Sequence, residues 1–516
     1  MNKHRFIFAV IALVFAFANS FAQFTNVAVS TNADDQSEPA TASSPLNPSL
    51  LIGAWNDFRS DYFSQAGYAF STNGGTSWSE GIVPAPTGRP TYIYGFDPSA
   101  VFDRYGNAFY CYIASDDIRL GATYVARSTN QGTTWDVIKQ VSAGALDQDK
   151  PYIAVDNTGG TRDGRIYVSW TDFSSGSAIK FAYSTDHGVS FSTPITLGSQ
   201  APDPGPFARF KPSSSNNPGS PTSVFVQGSI PAVGPNGELY VVWMDVNFGY
   251  NAATYKIRKS TDGGTTFGSA ITVAQFSWIR TALGKLDILN FPSLSVDPIS
   301  GYVYASFMDQ VSQTNPDLRV KWVRSTNGGS TWSSPTTIAG LGSGWQFFPW
   351  VTVDQTGRIS VAFMHSGDLS LVDSYVIESY DRGVTFGSAL RVSGTSSDPE
   401  NGAWTHHYLG VTSTVGYTRP IWTDYRNGNA DIYTARVNRP PTSNAATATA
   451  GNGQRKLARE SNGTYHQVFE TNQEIWYARK TTTDTEWNNY QRLNSGTVSG
   501  NSSPSIAERG GKVYVA

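Results

Sequence analysis

Ser71-Thr72-Asn73-Gly74-Gly75-Thr76-Ser77-Trp78 is the key to the chain, because it is written six times, the later copies beginning at Ser128, Ser184, Ser260, Ser325 and Ser379. Each copy has Ser first, Asn or Asp third, Gly fifth, Ser or Thr seventh and Trp or Phe eighth. Such recurrence marks an internal repeat. Its chemistry is that of a tight hairpin: an Asn or Asp side chain bonds the backbone ahead of it, and Gly accepts a positive φ. The closing aromatic pins the returning strand. Residues before each copy alternate as strands do, as in Gly67-Tyr68-Ala69-Phe70 and Val320-Lys321-Trp322-Val323-Arg324.

Outward from each turn, the same grammar repeats. Pro151-Tyr152-Ile153-Ala154-Val155-Asp156 precedes Arg165-Ile166-Tyr167-Val168-Ser169-Trp170, and Pro349 to Asp354 precedes Arg358 to Phe363 in the same way. Each repeat therefore reads as four antiparallel strands. A seventh unit at 407–436 lacks the turn motif and its fourth strand. Phe24 to Ser30 resembles the missing strand, and closure by it removes the exposed edges of an open array. The expected fold is all-β, a seven-bladed propeller over residues 23–438, with six blades as the alternative count. Residues 439–452 read as a linker, and 453–516 as the incomplete start of a second propeller-like segment or a tail packed on the first.

The motif S-x-[ND]-x-G-x-[ST]-[WF] resembles the Asp-box, or BNR repeat, of the sialidase superfamily. The resemblance implies a propeller and, among true sialidases, a six-bladed one with three arginines, a Tyr–Glu nucleophile pair and an Asp acid/base. The family's Phe/Tyr-Arg-Ile-Pro signature is not found; the nearest match is Gly88-Arg89-Pro90. The box is a structural turn shared by many propellers, so it speaks for fold more than for activity.

Composition narrows the function classes. Charged residues are 15% of the chain, against about 25% in average proteins. A formal net charge of −3 leaves no basic footprint for nucleic acid and no polybasic membrane patch. Residues 1–22 read as an export signal: Lys3, His4 and Arg5, the apolar run from Phe6 to Phe17, then Ser20-Phe21-Ala22. No later stretch is apolar enough to span a bilayer. The mature protein is expected to be secreted, extracellular or cell-surface, or periplasmic, and monomeric. The single cysteine, Cys111, lies in a strand-like run and reads as core.

Since all the box turns share one face, the opposite face is where a propeller of this order would bind ligands. One set of residues there repeats: Asp57, Asp172, Asp245, Asp309 and Asp424, four of them two positions after a Trp. Such regularity reads as a turn cap. A second set varies between blades: Glu38, Asp97, Asp149, Lys150, Asp287, His406 and His407. From it come the candidate acid/base residues Asp97 and Asp149. Lys150, Asp287 and His407, with Trp345 as a stacking surface, are the candidate substrate contacts. Arg59 and Arg426 occupy matching loops of the first and seventh units and carry forks suited to a carboxylate, although pairing with a local acid explains them equally. Phe347 and Trp404 are further stacking candidates. No zinc motif, phosphate loop or nucleophile elbow is present, and no cofactor or metal is expected; a structural calcium has no EF-type spacing behind it. Two readings stay open. One is a glycan-binding or glycan-hydrolysing propeller, the other a non-catalytic adhesion or protein-interaction scaffold.

Overall fold

The computed structural model describes residues 24–59, 63–117, 120–142, 147–200, 224–247, 252–312, 315–401, 405–406, 408–439, 456–471, 474–484, 487–493 and 504–516. The export signal, His407, Trp404 and nearly all of the linker lie outside them. Among the described residues every regular element is a β-strand, and the fold is an all-β propeller. No helix is long and apolar enough to cross a membrane.

The first sheet runs Gln36–Ser43, Leu51–Asp57, Gln65–Ser71 and Ser79–Ile82, each strand antiparallel to the last. Five further four-stranded sheets follow in the same order, their first strands being Tyr94–Phe102, Gln148–Val155, Val224–Val233, Ser293–Val296 and Trp345–Val353. The seventh sheet takes Gly410–Thr414, Tyr417–Asp424 and Asp431–Ala435, then Asn26–Ala28 from the other end of the chain. There Asn26 lies opposite Ala435, Val27 opposite Thr434 and Ala28 opposite Tyr433. The next residue anchors this strand: Val29 is buried with Trp55, Ala69, Ile421 and Ile432 of the first and seventh sheets. The first strand of sheet one also meets that of sheet seven.

The box turn is built alike in its copies. Ser71 Oγ donates to Asn73 Oδ1 at 2.9 Å and accepts the Gly75 N–H at 2.9 Å, while Asn73 Oδ1 accepts the Ser77 N–H at 3.0 Å. The fourth and fifth positions both take positive φ, 70° and 81° at Gly74 and Gly75. Non-glycine residues hold the fourth position in Gln131, His187 and Arg382. The turn also joins sheets. The fourth-position carbonyl accepts an arginine N–H from the preceding sheet: Arg127 to His187, Arg165 to Gly263, Arg324 to Arg382 and Arg419 to Gly74. The last of these links sheet seven to sheet one.

Two features depart from simple repetition. A hairpin, Arg280–Leu283 with Leu286–Leu289, stands between sheets four and five in the chain and pairs in parallel with Thr405–His406. Its Leu283, Leu286 and Ile288 pack with Phe347, Phe348 and Leu409. Beyond the linker, Leu457–Arg459, Tyr465–Thr471, Glu474–Lys480 and Asn488–Arg492 form a four-stranded sheet, followed by the hairpin Ile506–Arg509 and Lys512–Val515. Phe469, Trp476 and Ala478 of that sheet cluster with Val415 and Ile299. Both contact points are turns between first and second strands, so this segment seats on the box-turn side. Cys111 is fully buried, and burial pushes its thiol up out of reactive range.

Candidate functional site

Five of the first strands share a defect that builds the site. Their pairing slips between Ser37 and Ala40, Phe96 and Ser99, Asp149 and Tyr152, Gln227 and Ile230, and Phe347 and Trp350. Inside each slip one residue takes positive φ: Glu38 at 56°, Asp97 at 53°, Lys150 at 48°, Gly228 at 70° and Phe348 at 53°. All but Gly228 precede proline, which has no N–H to continue the ladder. A bulge re-aims the side chain it carries. Strained non-glycine residues concentrate at sites that the surrounding structure over-determines, and four of them stand here in equivalent places.

Three of the bulged side chains converge. Lys150 Nζ lies 2.9 Å from Glu38 Oε1 and 3.3 Å from Asp97 Oδ1, joining sheets three, one and two. The Lys150 N–H also donates to Asp97 Oδ2 at 3.1 Å. Glu38 Oε2 accepts Asn56 Nδ2 at 3.1 Å and the Tyr408 hydroxyl at 3.2 Å. Asn56 in turn accepts the Asp97 N–H at 2.9 Å. The ammonium stands 4.7 Å from the Tyr408 ring centroid and 5.3 Å from that of Phe291. Side chains from sheets one, two and three thus meet residues that lead into sheets five and seven. Beside them Tyr152, Trp350 and Tyr408 contact one another with centroids 5.4 Å, 6.0 Å and 6.1 Å apart. The charged groups come from sheets one to three, and the aromatic ones from Tyr152 of sheet three and from sheets five to seven. Gly228 makes room between the halves, since a Cβ there would sit 2.6 Å from Phe291 Cδ1.

Burial sets the electrostatics. Glu38, Asp97, Lys150 and Tyr408 are all buried. Burial raises the Asp97 carboxyl well above the usual carboxylate range, Lys150 opposes that, and Glu38 and Asp149 reinforce it by charge repulsion. For Lys150, burial pulls the ammonium down, but Asp97, Glu38 and Asp149 more than reverse it, so it holds its proton above the ordinary lysine value. The Tyr408 phenol is pushed far up by burial and then by Glu38, which keeps it a hydrogen-bond donor. Two carboxyl groups around one ammonium, with one carboxyl biased toward its protonated form, make an arrangement suited to proton donation.

Of the residues anticipated from sequence, Asp97 and Lys150 come together directly. Asp149 precedes Lys150, is half-buried, and accepts Gln227 Nε2 at 2.5 Å. The others stand elsewhere. Arg59 grips Asp57 through Nε at 2.9 Å and Nη2 at 2.7 Å, and leans toward Glu80 on the outermost strand. Arg426 does the same to Asp424 at 2.7 and 2.6 Å, with Nη2 also on Asn26 of the outermost strand in sheet seven. Both forks are taken by the local acid, at the periphery. Asp287 lies on the inserted hairpin with Arg280 Nη2 at 3.3 Å from its carboxylate. Trp345 is half-buried at the start of sheet six, against the same apolar cluster as Phe347. Phe347 is not a stacking surface: it is fully buried, because the inserted hairpin packs over it. The repeating aspartates serve as turn caps, Asp57, Asp172 and Asp424 each accepting the N–H two residues on. Three of the set accept a bond from the indole two residues before, at 2.8 Å from Trp55, 2.8 Å from Trp243 and 2.9 Å from Trp422.

Sequence reasoning does not bring Glu38, Asn56 and Tyr408 together. The usable signal is the X-Pro step in or just before matching first strands: Glu38-Pro39, Asp97-Pro98, Lys150-Pro151, Phe291-Pro292 and Phe348-Pro349. Among the described residues no cluster of His, Cys, Asp and Glu has metal-holding geometry.

No protein-family model matches the chain, and no curated protein matches it. Several solved structures are similar in part. The Hadza microbial sialidase Hz136 shares 16% identity over 73% of this chain and 74% of its own, with a TM-score of 0.43. An α-L-arabinofuranosidase of Fusarium graminearum shares 11% over 67% and 93%, with a TM-score of 0.44. An ulvan lyase of a polysaccharide lyase family shares 11% over 78% and 94%, with a TM-score of 0.47. Likeness at this level leaves activity to be argued from the chain's own residues.

Proposed function

We propose that the chain is an exported propeller that binds extracellular glycans and hydrolyses a glycosidic bond where its first three sheets converge. In this reading the seven sheets are seven blades closed by Asn26–Ala28, spanning residues 23–438. Residues 1–22 direct export, 439–452 are a linker, and 453–516 are a separate propeller-like segment. Asp97 is the proton donor to the leaving oxygen, and Asp149 on the neighbouring strand is the second carboxyl group of the pair that glycoside hydrolysis uses. Lys150 and Glu38 position Asp97. Tyr408 holds Glu38 from the opposite side. The observation that carries the reading is the buried Asp97 carboxyl, raised beside Glu38 and Lys150 on adjoining strained bulges.

The test is turnover of a broad panel of neutral and acidic oligosaccharides by the purified chain, with Asp97→Asn and Asp149→Asn beside it. Loss of turnover in Asp97→Asn with binding retained is the expected result. A second reading, a non-catalytic glycan or protein platform, is favoured by the burial of Lys150 and Glu38 and by the commitment of Arg59 and Arg426 to their own aspartates. Glycan binding without turnover in the wild-type chain decides for it.

A further inference from the structure

The third strand of sheet four, Ala252–Ser260, carries Lys256 and Arg258 two positions apart and so on one face. On the neighbouring strand Trp243 lies opposite Lys256 and Val241 opposite Arg258, so their side chains share that face, which Asp245 also joins. The face looks onto the outer strand of sheet three, Ile195–Gln200. Leu197 packs there with Val241 and Trp243, and a Cβ on Gly198 would sit 3.0 Å from Trp243 Cε2. Between the two sheets is a groove of about 450 Å³, lined by Gly198, Gln200, Trp243, Asp245, Lys256 and Arg258. That volume is within the usual range of small-molecule sites.

Arg258 breaks the repeat. Two positions before the first Ser of the box, the other five copies have Ala69, Ala126, Ala182, Val323 and Ile377, all at most 1% exposed. Only the fourth copy puts a charge there. Arg258 is half-buried, its Nε is shut off from solvent, and among the described residues that nitrogen has no hydrogen-bond partner. No ion pair among the described residues takes Arg258 either, whereas Arg59, Arg127, Arg319 and Arg426 each hold an aspartate. Lys256 is less unusual. Its Nζ donates to Thr272 Oγ1 at 3.0 Å, as Lys180 does to Thr196 at 2.8 Å and Lys321 to Thr337 at 2.9 Å. Asp245 is the one acid among the described residues lining the groove; it accepts the Trp243 indole N–H at 2.8 Å and is stabilised as a carboxylate by Lys256. Two cations therefore line the groove with one carboxyl group, and the unmatched charge is Arg258.

A guanidinium fork that no protein acceptor fills, at the wall of a groove, suits a planar or tetrahedral oxyanion. A buried donor left without an acceptor costs stability, and a ligand oxygen would remove that cost. We propose that the groove between sheets three and four is an anion-binding site, which takes a carboxylate or sulfate group on Arg258 with Lys256 beside it. The site shares no residue with the Glu38, Asp97 and Lys150 cluster and does not depend on the glycan reading.

The experiment is calorimetric titration of the full chain with glucuronate, glucose 6-sulfate, inorganic sulfate and glucose, repeated at higher salt. The expected result is binding of anions, weakened by salt, and none of glucose. Arg258→Val installs the residue type of the other copies, so it should melt at or above the wild-type temperature while weakening anion binding roughly tenfold or more. Arg258→Lys keeps a charge without the fork, and its partial loss of affinity carries the test if the valine variant is unstable. Inorganic sulfate bound as tightly as glucose 6-sulfate supports the site with the free oxyanion as its ligand. Tighter binding of either acidic sugar supports it with an acidic saccharide as its ligand. Glucose bound as tightly as the anions, anion binding unchanged in both Arg258 variants, or no binding of any anion overturns the inference and leaves the proposed function standing, because turnover is read separately.

Discussion

Among single residues, Glu38, Asp97 and Lys150 are where charge, burial and strain coincide. Asp97 titrates higher in the folded chain than its ordinary value of 3.8. Between those two values the native state holds a proton that the unfolded chain has lost, so stability falls as pH rises through that window. Lys150, also raised, gives a slope of the same sign but at higher pH. Its stabilisation is complete below 10.5 and fades only as pH climbs through its raised folded value. Asp97→Asn removes the ionising group while keeping its shape, and urea midpoints measured from about pH 4 to about pH 8 should decline less than those of the wild type. A decline as steep as wild type would show that Asp97 is not the group responsible. Lys150→Met strands two buried carboxyl groups and should cost about 3–5 kcal/mol in the same measurement. Adding Glu38→Gln to Lys150→Met should recover part of that loss, because the second substitution removes a charge the first left unpaired.

Among elements, each box turn does two tasks. It satisfies its own backbone through the first-position Ser and third-position Asn or Asp, and in four copies it offers its fourth-position carbonyl to an arginine of the sheet before. Removal of the Ser71 hydroxyl loses its bonds to Asn73 and the one that satisfies the buried Gly75 N–H. Ser71→Ala should lower stability by about 1–2 kcal/mol. Gly75→Ala should cost more. It forces a Cβ into φ of 81° and to 2.6 Å from Arg419 Cζ, displacing the guanidinium from Gly74. Differential scanning calorimetry of the two variants gives the order; equal melting points would mean that the arginine link carries no stability. Arg419 is itself unusual, held down to about 10 by burial, with Arg436 adding repulsion against the favourable pull of Tyr417. The first strands tell a parallel story, since their X-Pro bulges interrupt the ladder in one place and bring Glu38, Asp97 and Lys150 to one point.

For the whole molecule, the N-terminal strand makes two distant parts of the chain cooperate. Val29 sits in one apolar cluster with residues of sheets one and seven, and Asn26–Ala28 supplies the outer edge of sheet seven. Val29→Asp buries a carboxylate without a partner and should release that strand first. Hydrogen exchange would then rise at Asp431–Ala435 before it rises in sheets three and four. Uniform exchange across all sheets would separate strand pairing at this edge from the stability of the rest.

The repeat, the strand order within each sheet, the conformation of the turn and the strand that completes sheet seven are all legible in the linear chain. They depend on local periodicity and on residue types a few positions apart, which a sequence carries openly. Asp97, Asp149 and Lys150 also stand out there, as irregular residues against a regular background. Contact among Glu38, Asp97, Lys150 and Tyr408 is not legible, since Lys150 and Glu38 are 112 positions apart and Tyr408 and Glu38 are 370 apart. Nor is the choice of Arg59 and Arg426 for their neighbouring aspartates, or the burial of Phe347 under a hairpin that nothing near it in sequence encodes. Those outcomes belong to the tertiary fold. Strands and turns are set by short-range sterics and hydrogen bonding, whereas a site shared by the first strands of several sheets exists only once every sheet has taken its angle to the others.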